Sequence, residues 1–248
     1  LSLAEVILAL RRSLATLGSG RVWLYLLAPA IVAVIAMVGL SVALLERLIA
    51  LFVEQPPLRW IAAWGALWLA ELLAGLCGWL LILSASYLVA LLLAAIIVLP
   101  LLLNHLAATD YPDLARQGRD SLVASTWNSV AAALLFIAGW LLTLPFWLVP
   151  GAALLLPLFW MGWLNRRTFA FDALAAHATR DEWRELRRAQ AAPLLLLGLS
   201  LALLAHVPFL GLLAPSFAAL AYIHFGLEAL RRLRQGAVVA VIEPVKSS

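Results

Sequence analysis

Charge is scarce in this sequence. Only 12% of its 248 residues are Asp, Glu, Lys or Arg, against about a quarter in an ordinary soluble domain. That shortage excludes a soluble globular chain, because 65% of the residues are hydrophobic and mean hydropathy is +1.03. Cysteine is reduced to Cys77, so no intrachain disulfide can form, and its apolar run makes it an expected small buried hydrophobe. There is no P-loop, HExxH, CxxC or GxSxG motif, and no pair of intramembrane aspartates. ATP hydrolysis by a P-loop is therefore excluded, no catalytic set suggests an enzyme, and no cofactor or resident metal is expected. Lysine is nearly absent too, and the net charge of +4 sits in segments flanking the apolar runs. That is orientation charge, not a nucleic-acid footprint, so the bilayer and no nucleic acid is the expected partner.

What is present is a set of long apolar runs. The sequence predicts an all-α integral membrane protein with one membrane domain over 1–235 and a loose tail over 236–248. Residues 1–17 carry Leu3, Val6, Ile7, Leu10 and Leu14 at helical spacing, with Glu5, Arg11 and Arg12 on other faces. That pattern is an amphipathic helix lying on the membrane. Two long helices follow over 22–55 and 59–106, separated by Gln55-Pro56-Pro57. The second contains about 44 apolar residues, enough for one long tilted helix or for two spans without a polar loop. Glu71 interrupts it, either as a functional intramembrane carboxylate or as a group reaching headgroups or Arg59. His105, at the edge of the run, is expected to be interfacial.

An interrupted pattern then occurs twice. Residues 119–164 form apolar legs around Pro145, Pro150 and Gly151, and residues 193–235 form legs around His206, Pro208 and Gly211. The apolar legs are short, about 20–24 Å at 1.5 Å per residue, below the roughly 30 Å hydrocarbon core. They predict two short helical hairpins that enter and leave on one side, with single kinked spans as the other reading. Between them, residues 165–191 are polar helices, with Thr179-Arg180-Asp181-Glu182 as a capping box. The hairpin reading places the arginines at 11–21, 166–188 and 231–234 on one side, the cytoplasmic one. His206, beside a tip, suits a proton or ion path, or simply a bond to free carbonyls. His177, Asp181 and Glu182 carry little weight as metal ligands.

Gly18-Ser19-Gly20-Arg21 stands immediately before the first long helix. A glycine-rich turn opening a helix presents free N–H groups and the positive end of the helix dipole, and arginine adds a planar fork of donors. Such a turn suits an oxyanion, with Arg11 or Arg12 assisting. The same residues also serve as an ordinary helix start with a topology arginine.

These pieces together resemble a family. Gly18–Arg21 before an apolar helix with Pro29, the segment Asn165-Arg-Arg-Thr-Phe-Ala-Phe171-Asp172-Ala-Leu, and the segment Val207-Pro-Phe-Leu-Gly-Leu-Leu-Ala-Pro215 look like the CysZ sulfate permeases and the wider etoposide-induced membrane proteins. The resemblance implies a sulfate permease serving cysteine synthesis in a bacterial inner membrane. It implies two long transmembrane helices plus hemi-penetrating hairpins, assembly into homo-oligomers, and cytoplasmic termini. It also implies a sulfate or oxyanion site at Gly18, Ser19, Gly20 and Arg21, with a path that can include Arg11, Arg12, Glu71 and His206. The family turn carries Gly-Leu-Arg and its later motif Tyr-Pro-Phe-Asp. This chain departs from both, which leaves a family paralogue with another substrate, or a membrane scaffold, as the alternative.

Overall fold

The computed structural model describes residues 2–118, 122–149, 151–207 and 210–242. Pro150 and Pro208 of the two hairpin tips, the first residues of the 119–164 segment and residues 243–248 lie outside that set. Among the described residues the protein is all helical, without strands. Helix α1, Ser2–Thr16, buries Val6, Ala9 and Ser13 and leaves Leu3, Ile7 and Leu14 exposed. Helix α2, Gly20–Val53, runs 34 residues, about 51 Å at the helical rise. A short helix α3, Leu58–Ala63, turns the chain back.

The long helix expected over 59–106 starts later than its sequence suggests. Gly65 takes a φ of 88° and breaks the chain between α3 and α4, Leu67–Leu93. No Cβ is tolerated easily in that conformation, so glycine makes the break possible. From Leu67 the rod is continuous to Thr109, through a π-helical turn Ala94–Val98 into α5, Leu99–Thr109. Pro100 lies in the first turn of α5 and has no N–H to give to the preceding turn, which fits a widened turn at that point. Along α4, positions Ala70, Ala74, Gly78, Ile82, Ser86 and Ala90 are all buried. A small or slender side chain every fourth position lets α2 and α4 pack as an antiparallel pair with backbones close together. Cys77 is one residue off that seam and is exposed, correcting the expectation that it is buried. The seam leaves it on the outer face of the rod.

The remaining helices form a compact bundle. They are α6, Leu122–Thr143, ending in a 3₁₀ turn Leu144–Leu148; α7, Ala152–Ala175; α8, Arg180–Ala189; α9, Ala191–Ala205; and α10, Leu210–Ile242. Two differences from the sequence reading stand out. The described helix of the first leg reaches back from its apolar part at Val130 to Leu122, and its polar stretch is held against α7, where Asn128 donates to the Arg167 carbonyl and Ser129 to Asp172. The polar segment after residue 164 continues α7 to Ala175 before any turn, and the tail expected from 236 is helical to Ile242. Helices α8 and α9 meet at Gln190 with a 73° bend.

Helices α7, α9 and α10 meet at Gly162 and Gly198. A Cβ on Gly198 would collide with the Gly162 carbonyl and come 2.9 Å from the Tyr222 hydroxyl. Tyr222 is fully buried, stacks on Phe169 and donates to the Leu194 carbonyl at 2.9 Å. Among the described residues four helical stretches are long and apolar enough to cross a membrane: Gly20–Val53, Leu67–Thr109, Ser125–Phe146 and Leu213–Gly236. The protein is an all-α membrane protein, with its core where α5, α7, α9 and α10 converge.

Candidate functional site

The turn between α1 and α2 is tightly built. The N–H groups of Leu17, Gly18 and Ser19 donate to the carbonyls of Leu14, Ala15 and Thr16 at 3.1–3.2 Å. The indole of Trp23 reaches back to the Leu17 carbonyl at 2.8 Å. Ser19 is the N-cap of α2 in extended conformation, but its hydroxyl makes no capping bond. Among the described residues the N–H groups of Gly20 and Arg21 have no backbone partner and the Ser19 hydroxyl no capping bond, so the start of α2 presents two donors and a hydroxyl. The Ser19 N–H, in contrast, is already spent on Thr16. A Cβ at Gly20 would meet nothing within 4 Å, so the space beside that N–H is open.

The turn opens on a cavity of ≈ 740 Å³. Arg12, Ala15, Thr16, Ser19 and Arg21 line one side, the end of the rod from His105 to Tyr111 lines a second, and His224 and Arg231 of α10 close the third. Its back wall is a closed ring of hydrogen bonds. The Thr16 hydroxyl donates to the Arg12 carbonyl at 2.9 Å, so it accepts from Nε2 of His224, also at 2.9 Å. That assigns the His224 proton to Nε2 and leaves Nδ1 to accept from the Tyr111 hydroxyl at 3.0 Å. Arg12 then donates to the Tyr111 oxygen at 3.1 Å and completes the ring. Tyr111 and His224 are each 1% exposed, so these two members of the ring are shielded from water.

The cations of the cavity differ in what balances them. Arg12 pairs with Glu228 at 2.6 Å. Arg231 pairs with Asp113 at 2.6 Å, donates to the Asp110 carbonyl at 3.1 Å and sits over the Tyr111 ring at 4.7 Å. The Arg231 hydrogen bond holds the Asp113 carboxyl below the usual carboxylate range. Burial raises the Tyr111 hydroxyl, against the neighbouring arginines, so it stays a donor. Arg21 is exposed, and among the described residues it has no ion pair and no carboxylate occupies its fork. Asp110 borders the same cavity and is likewise unpaired among them.

Of the residues singled out in the sequence, the structure brings Arg12, Ser19 and Arg21 to one cavity and leaves Gly20 beside them. Gly18 is exposed at the outer edge of the turn. Arg11 lines a neighbouring cleft with Glu5 and Arg232. Glu71 is exposed on the long rod, away from the cavity. His206 sits at the second tip, with Nδ1 against the Ala202 carbonyl at 2.7 Å, which is the plain tip bond. His105, expected only to be interfacial, borders the cavity. Tyr111, His224, Glu228 and Arg231 were not anticipated. A histidine and a glutamate one helical turn apart in an apolar run were the available signal for two of them. Glu182 closes the expected capping box with Thr179 and bridges to Arg234 at 2.8 Å, so it belongs to structure. No group of three or more His, Cys, Asp or Glu gathers for a metal among the described residues.

Compared with known protein families, residues 9–215 match the family described as sulfate transporter CysZ/etoposide-induced protein 2.4. No curated protein and no solved structure matches the chain. The family match begins in α1 and covers both long helices, the first hairpin, α8, α9 and the start of α10.

Proposed function

The chain belongs to the sulfate transporter CysZ/etoposide-induced protein 2.4 family, and from that premise we propose that it is an inner-membrane permease passing sulfate or a related oxyanion toward sulfur assimilation. In this reading Gly18, Ser19, Gly20 and Arg21 form the anion site, with Arg12 behind it. The termini and the arginine-rich helix α8 face the cytoplasm, the two hairpins stop inside the bilayer, and the chain works as a homo-oligomer.

The observation that carries the reading is the meeting of unspent donors with an unpaired cation. Sulfate is a strongly hydrated dianion, and a site must replace its water with N–H and O–H donors. Free N–H groups of Gly20 and Arg21, the uncommitted Ser19 hydroxyl and the Arg21 fork supply these at the positive end of α2. The hydrogen-bonded ring behind them cannot itself rearrange cheaply. It holds α1 and the rod at a fixed spacing while the anion exchanges at the front.

A non-transporting scaffold is the competing reading, and a dry, leucine-packed interior would favour it. What supports transport over it is the group of polar side chains at the cavity, Arg12, Thr16, Ser19, Arg21 and Asp110, while the core of the bundle itself is apolar. Arg21→Ala is expected to weaken sulfate binding to the purified protein at least about tenfold, the loss of one charge-assisted bidentate contact. Its thermal unfolding in detergent should match the native chain, since Arg21 holds no partner. Equal sulfate affinity in a correctly folded variant removes the proposal.

A further inference from the structure

The charges around the cavity do not simply add up to a basic pocket. Arg12 pairs with Glu228, which also bridges Arg231 at 3.6 Å and Arg232 at 3.1 Å, and Arg231 pairs with Asp113. Among the described residues this leaves one unpaired cation, Arg21, and one unpaired carboxylate, Asp110, bordering the same space. The backbone of Asp110 is held on both sides. Its N–H donates to the Leu106 carbonyl at 2.8 Å at the end of α5, and its carbonyl accepts from Arg231 at 3.1 Å. The backbone is therefore held at the cavity's edge, and the residue is open to solvent.

We propose that Asp110 is a built-in counter-charge that weakens the hold of Arg21 on its anion and so lowers the affinity and sets the charge selectivity of the site. The inference rests on the reading of this cavity as the anion site. A conducting site must bind firmly enough to strip water and loosely enough to let go. A neighbouring carboxylate serves the second need, because its field repels any anion held at Arg21. Coulomb energy is proportional to the product of the charges, so a dianion feels twice the repulsion of a monoanion at the same place. Asp110 thus penalises sulfate more than a singly charged competitor, and its removal helps sulfate more.

The test compares purified native protein with Asp110→Asn, Asp110→Ala, Asp110→Glu and Arg21→Ala by calorimetric titration with sulfate and with nitrate. Both neutral variants should bind sulfate about three- to tenfold more tightly and nitrate only about two- to threefold more tightly. Asp110→Glu, which keeps the charge, should bind both anions like the native chain. Neutral variants that bind sulfate no tighter, or that gain equally for both anions, overturn the role of Asp110 while the anion site stands. Undiminished sulfate binding by Arg21→Ala overturns the site itself. The two failures are read from different variants and cannot be confused.

Discussion

Removing the Tyr111 hydroxyl leaves the buried Nδ1 of His224 without its partner and takes one bond from Arg12 Nη1, which keeps Glu228. An unsatisfied buried group costs more than the bond it made, so Tyr111→Phe is expected to destabilise the protein by about 1–3 kcal/mol. Thermal unfolding of purified protein in one detergent measures it; an unshifted midpoint would show that the ring is not structural. The ring also marks what single-residue reading can and cannot reach. Ser19 and Arg21 were legible because a turn, a helix start and a charge are neighbours in sequence. Tyr111 and His224 were not, since Arg12 meets Tyr111 across 99 positions and Glu228 across 216. Their pairing follows from helix packing, which local pattern does not encode.

At the scale of elements, α8 was the most legible piece, and it shows how a surface helix is tied down. Thr179 accepts from the Glu182 N–H while Glu182 accepts from Thr179 N–H at 2.7 Å. The same carboxylate takes Arg234, which also donates to the carbonyls of Ala115 and His177. Arg234 thereby fastens the loop after the rod, the end of α7 and the start of α8 to α10. The Arg234 bond, more than the capping bonds, holds the Glu182 carboxyl below its ordinary value. A depressed folded-state pKa stabilises above the unfolded value, near 4.3, and that stabilisation fades as pH falls through the folded one. Glu182→Gln should therefore cost about 1–2 kcal/mol at neutral pH. Its melting temperature should converge on the native one in acid, and a constant gap across that range would contradict the ion pair. Less legible were the breaks in the long elements. Gly65 inside an apolar run gives no sign of its positive φ, and the fourfold seam from Ala70 to Ala90 is hidden by uniform hydrophobicity. Helix ends such as Ala175 depend on docking: the N–H groups of Gln117 and Gly118 bond to the carbonyls of His177 and Ala176, beyond any propensity argument.

For the whole molecule the open matter is depth, and the arginines provide a ruler. Arg12, Arg231, Arg232 and Arg234 gather at one end through their ties to Tyr111, Asp113, Glu5 and Glu182, and Arg21 borders the same cavity as Arg12 and Arg231. Arg167 joins α6 through Asn128 on the way from that end into the bundle. From Arg167 up α7 to Gly151 is about 24 Å of helix, and from Gln190 up α9 to His206 about 24 Å as well. Those two legs alone fall short of a core roughly 30 Å thick, whereas the Ser125–Phe146 and Leu213–Gly236 stretches, at about 33 and 36 Å, are long enough to cross it. The α2–α4 pair, at about 51 Å, passes well beyond it and carries Trp60, Trp64 and Trp68, exposed, at its far end. With Cys77 replaced by Ser, a cysteine at Trp64 should react with a membrane-impermeant thiol reagent added outside intact cells. One at Arg184 should react only after the inner face is opened, and ones at Val149 or Val207, at the two tips, should stay unreactive from outside. Fast external labelling at both tips would make α6–α7 and α9–α10 full crossings. The route of an anion would then have to be sought along complete spans, because no short barrier would remain above the cavity for it to pass.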